Sequence, residues 1–99
     1  MTKDEENRAR GKAQNDINRA DDTRTILESP VYQEAITMIK GDLYSEFIKS
    51  ETSEQRDEIH RQVNAVTKLE KILKRNMLEG KMGQQTLTLI ARAKKVVGL

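Results

Sequence analysis

The tetrads Ser29-Pro30-Val31-Tyr32 and Thr52-Ser53-Glu54-Gln55 decide the fold of this 99-residue chain. In the first, Pro at the opening helical position loses no intrahelical hydrogen bond, and the Ser before it can accept from an otherwise unpaired amide. In the second, Thr52 and Gln55 have the spacing of a capping box, each satisfying a backbone N–H of the other. Each tetrad is followed by apolar residues at helical period. Tyr32, Ile36, Ile39, Leu43 and Phe47 mark the first stripe. Ile59, Val63, Val66, Leu69, Leu73 and Met77 mark the second. Spacings of three and four predict helices over about 30–49 and 53–79. Gly80 then reads as a left-handed stop, with Lys74 and Arg75 complementing the negative end of the helix dipole.

A connection this short places the two helices antiparallel. The hairpin pairs Phe47 and Leu43 with Ile59 and Val63, and Ile36 with the stretch from Val66 to Leu73. Residues 1–28 read as a polar helical or partly disordered arm. Its stripe of Ala9, Ala13, Ile17, Ala20 and Leu27 is thin in large apolar groups. Its first ten or so residues are expected to be frayed or ordered only by a partner. The Ala-rich stripe permits close helix approach, as for an arm lying along a neighbouring subunit. Residues 81–85, with Gly83, read as a joint, and residues about 84–97 as a short basic helix. The expected fold is therefore all-α: a hairpin core over 29–80, an N-terminal arm over 1–28 and a C-terminal segment over 81–99.

Composition excludes more than it identifies. Apolar residues make up 35% of the chain and charged residues 34%, too little apolar material for a large self-contained core. The absence of Cys removes disulfides and thiolate metal sites. The charged start carries no secretory pattern, and no apolar run approaches the ~20 residues of a membrane span. The lone His60 has only carboxylates near it in sequence, a poor zinc cage. The adjacent carboxylates Asp4, Glu5 and Glu6, and Asp21 and Asp22, point away from one another on a helix and make no acid–base pair. No serine lies in a nucleophile elbow, and Gly80-Lys81-Met82-Gly83 lacks the strand and spacing of a phosphate loop. No catalytic residue, cofactor or metal is expected, and the protein reads as a non-enzyme.

Charge is uneven. The net +2 conceals ten basic and four acidic side chains over residues 56–99. Lys68, Lys71 and Arg75 share a helix face; Lys74, Lys81, Arg92, Lys94 and Lys95 extend the basic set. Such a surface suits a phosphate backbone or an acidic protein. A helix-turn-helix fits poorly, because the helix after the turn begins Glu54-Gln55-Arg56-Asp57-Glu58 rather than with donors for base edges.

The stretch Ile26-Leu27-Glu28-Ser29-Pro30-Val31-Tyr32-Gln33-Glu34-Ala35 resembles a pattern in small helical proteins of tailed bacteriophages: a hydrophobic pair, a Pro turn and an aromatic opening a helix. The second helix is similar to theirs through Arg56, Ile59, Val63, Ala65, Val66, Leu69 and Leu73, closing at Gly80-Lys81. The likeness covers residues 26–81. It implies a phage product of the packaging or virion gene neighbourhood, located in the virion or the bacterial host cytoplasm. The residues that carry it are structural, so it brings no functional site. With the thin apolar stripes, the N-terminal arm and the basic terminal segment, the leading expectation is a non-enzymatic virion or assembly protein (adaptor, scaffold-like or internal capsid component) acting through helix contacts with itself or virion proteins. The alternatives are a small DNA-packaging oligomer binding DNA non-specifically through the basic face of residues 56–95, and an inhibitor of a host protein. No membrane or small-molecule partner is expected.

Overall fold

The computed structural model describes residues 1–97, without the side chain of Val97, and is all-helical, with no strand among the described residues. Three helices follow in order: α1 Lys3–Leu27, α2 Pro30–Lys49 and α3 Ser53–Val97. The expected C-terminal segment extends to residues 98 and 99, which lie outside the described residues.

The sequence signals at the helix starts operate as their chemistry requires. The Tyr32 amide donates to Ser29 Oγ at 3.4 Å, with Pro30 at the first helical position. The Gln55 amide donates to Thr52 Oγ1 at 3.1 Å, while Gln55 Oε1 accepts from the amides of Glu51 at 2.8 Å and Thr52 at 3.3 Å. α1 has a start signal of its own, Thr2-x-x-Glu5, in which the Glu5 amide donates to Thr2 Oγ1 at 3.1 Å. Helix α1 begins at Lys3, so the first residues of the expected arm are helical in the structure.

Gly80 is not a stop. α3 continues through it and through Gly83 for 45 residues, so the expected joint at 81–85 and the separate helix at 84–97 do not exist. None of the described glycines adopts a positive φ. The reason is contact with α1. A Cβ on Gly80 would land on the Cβ of Ala20 and 3.3 Å from the Asp16 carbonyl oxygen. A Cβ on Gly83 would lie 2.7 Å from the Ala13 carbonyl oxygen and 3.3 Å from Ile17. These glycines let two helix backbones approach closely, and that packing outweighs the local cost of Gly within a helix, about 1 kcal/mol each.

Contacts divide the chain into two compact units. The first joins Met1–Arg24 with the chain from Lys74 onward, and the second is Thr25–Leu73. In the first unit Ala13, Ile17, Ala20 and Ile90 are buried. Polar links accompany them. Asn76 donates to Thr23 Oγ1 at 3.2 Å, and that hydroxyl donates to the Arg19 carbonyl at 2.8 Å, so the buried Thr23 is fully used. Arg19 reaches Glu79 at 3.8 Å, and Lys94 reaches Glu6 at 3.1 Å. As α1 numbers rise, the α3 partners fall, so these segments run antiparallel. The small-residue stripe that the sequence suggested for a neighbouring subunit lies along α3 of the same chain.

Lys94 and then Arg10 hold the Glu6 carboxyl below the ordinary carboxylate value, against the opposing effect of burial. The folded state thus favours ionised Glu6. This contribution is present above the unfolded carboxylate pKa of about 4.3 and is lost as pH falls through the lower folded value. Acidification should loosen the Glu6–Lys94 end of α1 first. In a carboxyl NMR titration Lys94→Gln should move Glu6 up towards the ordinary value; an unmoved Glu6 would remove the pairing.

In the second unit, Leu43 and Ile59 are buried and Leu73 closes the buried set. Phe47, near the end of α2, meets His60 edge-on at 6.0 Å, and Lys40 in its middle pairs with Glu70 at 2.9 Å. The α1 end is capped inside this unit, where Gln33 Nε2 donates to the Leu27 carbonyl at 2.9 Å. Ser50 ends α2, donating twice to the Phe47 carbonyl, from its amide at 3.2 Å and its hydroxyl at 2.6 Å.

Candidate functional site

The expected core residues separate by burial. Leu43, Ile59 and Leu73 are buried; Tyr32, Ile36, Val66 and Met77 are half-buried; Ile39, Phe47, Val63 and Leu69 are exposed. This follows from two helices packing with no third layer: each buries a narrow strip, and the flanks of the stripe face water.

The exposed flank nearest the α2–α3 connection forms an open groove of about 460 Å³. Leu43, Tyr44 and Phe47 line it from α2, and Ile59, His60, Val63, Val66 and Thr67 from α3, with Lys40 and Glu70 at one end. The sequence stripe brings five of these together: Leu43, Phe47, Ile59, Val63 and Val66. Tyr44 and His60 fall outside the periodic stripe and were not expected there. Tyr44 is 68% exposed, which leaves its ring free for a partner. The Phe47–His60 ring pair fixes the groove wall. The groove is mainly apolar and open, with the Lys40–Glu70 ion pair at one end. Its chemistry is burial of an apolar side chain or helix face, with His60 and Thr67 as polar edges.

Glu58 near the same end lies below the ordinary carboxylate value because Arg61 and Gln62 donate to it. No group of three His, Cys, Asp or Glu side chains among the described residues is placed to hold a metal ion. No described helix is long and apolar enough to cross a membrane.

All eight residues of the expected basic face are exposed. Lys68 and Lys71 belong to the second unit and Lys74, Arg75, Lys81, Arg92, Lys94 and Lys95 to the first. Lys94 is occupied by Glu6, and Arg75 lies 3.8 Å from Glu79. Among the described residues the other six make no ion pair, so their charge is available to an external anion.

No protein family, curated protein sequence or solved structure matches the chain.

Proposed function

We propose that the protein is a non-enzymatic assembly component of a tailed bacteriophage, working in the virion or the host cytoplasm through helix-mediated protein contacts. The observation that carries this reading is the number of large apolar side chains that the second unit leaves in water on both flanks of α2. Val31, Met38, Tyr44 and Ile48 are each more than 60% exposed there, beside a buried set of only three large side chains. An exposed apolar surface of this kind marks a contact site more often than a catalytic one. In this reading, residues 30–49 and the first part of α3 form an antiparallel hairpin that presents the surface as a rigid body. The phage origin rests on the likeness of residues 26–81 to small helical phage proteins.

The DNA-packaging reading is favoured by one separate observation, Lys68 and Lys71 on one face of α3, with no ion pair among the described residues. One set of experiments distinguishes the two. An assembly component should appear in purified particles or their intermediates by mass spectrometry, and its deletion should stall particle formation. Particle yield that is unchanged, with the protein left in the lysate, would sink the assembly reading. A packaging protein should bind duplex DNA with an affinity that falls steeply with salt, and Lys68→Glu/Lys71→Glu should weaken binding to all sequences alike. Binding that is absent or independent of salt would remove that alternative.

A further inference from the structure

The groove of Tyr44, Phe47, His60, Val63 and Thr67 occupies one side of the α2–α3 pair and leaves the other side unaccounted for. At about 100° per residue, Ala35, Met38 and Ile39 lie on the flank of α2 away from Tyr44. Ala65, Leu69 and Ile72 lie on the flank of α3 away from His60 and Thr67. All six are exposed. Among the large ones, Met38 is 61%, Ile39 43%, Leu69 42% and Ile72 38% exposed. Side chains of both helices therefore form one apolar face, at the part of the second unit away from the Ser50–Thr52 connection.

We infer that this face binds the same face of a second copy of the chain, closing a two-fold four-helix bundle. Charge supports a second copy as the occupant. Beside the apolar residues, α2 carries Asp42 and Glu46 and α3 carries Lys68. None of these three has an ion pair among the described residues. A two-fold contact that lays α2 of one copy across α3 of the other brings the acidic edge of each against the basic edge of its partner, twice. The stripe is also self-matching, since each helix pair offers what the other lacks: a further apolar layer over a core limited to Leu43, Ile59 and Leu73. The inference rests on the reading of the chain as one that acts through helix contacts. It fails separately, however, because it concerns the purified chain with no virion protein present.

The test is light scattering with sedimentation of the full chain, with far-UV circular dichroism on every variant. The expected mass is twice 11.3 kDa, with dissociation on dilution. Leu69→Glu should raise the dissociation constant about tenfold or more while helicity stays high. Met38→Glu and Ile72→Glu, at outer positions of the same face, carry the test if Leu69→Glu loses helicity. Tyr44→Glu, on the groove side, should leave the dimer intact. Asp42→Lys/Glu46→Lys should weaken association, and adding Lys68→Glu to that chain should restore it. A monomer up to about 100 μM, where even weak contacts form, would overturn the inference. So would a ring of more than two copies, or a dimer that resists the Leu69, Met38 and Ile72 variants and falls apart with Tyr44→Glu.

Discussion

Replacing Gly80 with Ala is expected to lower the melting temperature by roughly 10 °C, although Ala is the better helix former by about 1 kcal/mol. The added methyl would overlap the Ala20 Cβ, and the Asp16 carbonyl oxygen lies 3.3 Å away. A side-chain tip could swing aside, but Ala20 has none, so α1 itself must move off α3. Overpacking of this kind costs about 1–3 kcal/mol or more, and the backbone contact places it at the upper end. Gly83→Ala should behave alike, because its methyl would lie 2.7 Å from the Ala13 carbonyl oxygen. Gly41→Ala is the control. It also sits inside a helix, but nothing lies within 4 Å of its added Cβ, so it should gain about 1 kcal/mol. Opposite signs at Gly80 and Gly41 cannot come from propensity. In the double variant Gly80→Ala/Ala20→Gly the clash with the Ala20 methyl is removed, so the two changes should couple favourably in a double-mutant cycle. Additive losses, or a Gly80→Ala protein as stable as Gly41→Ala, would remove the close contact between α1 and α3.

Those glycines show where the sequence is legible and where it is not. Ser29-Pro30 and Thr52-x-x-Gln55 are local signals: the donor, the acceptor and the helix they start lie within a few residues. They can therefore be read without knowing the rest of the molecule. Gly80 is ambiguous for the opposite reason. The same residue ends a helix if its φ is positive and admits a neighbouring helix if it is not, and only α1, some sixty residues earlier, decides. The clue was present in the pairing of Gly80-x-x-Gly83 with Ala13 and Ala20, small residues on both partners. The Ala stripe could be recognised as a close-approach surface, but its partner could not be named, because small side chains carry no complementary shape or charge to match. Thr23 and Asn76 are illegible for a similar reason, since a hydroxyl and an amide mid-helix resemble solvent-facing residues until packing joins them. The candidate surface was half legible. Helical period gives the stripe centred on Leu43 and Ile59. It does not tell a buried centre from an exposed flank, and so it groups Phe47, Val63 and Leu69 with residues that are covered.

That distinction yields the other large effect. Leu43→Ala should cost about 3 kcal/mol, as for a buried Leu whose site cannot fully collapse, and Leu43→Asp should abolish cooperative melting of the second unit. Leu69, on the same apolar stripe but 42% exposed, should respond differently. Within one chain, Leu69→Asp leaves its carboxylate in water and avoids the cost of a buried charge, so the loss should stay below about 1 kcal/mol. Protein concentration separates the contributions. A residue that packs only within its own chain gives the same loss at every concentration. A residue at a contact between copies gives a loss that grows as the native protein is concentrated, because association stabilises only the folded form. Melting by circular dichroism across a hundredfold range should therefore show a constant deficit for Leu43→Ala and a growing one for Leu69→Asp. Equal, concentration-independent losses at both positions would mean that Leu69 is as deeply packed as Leu43, and the exposed apolar face would no longer be available to a second chain.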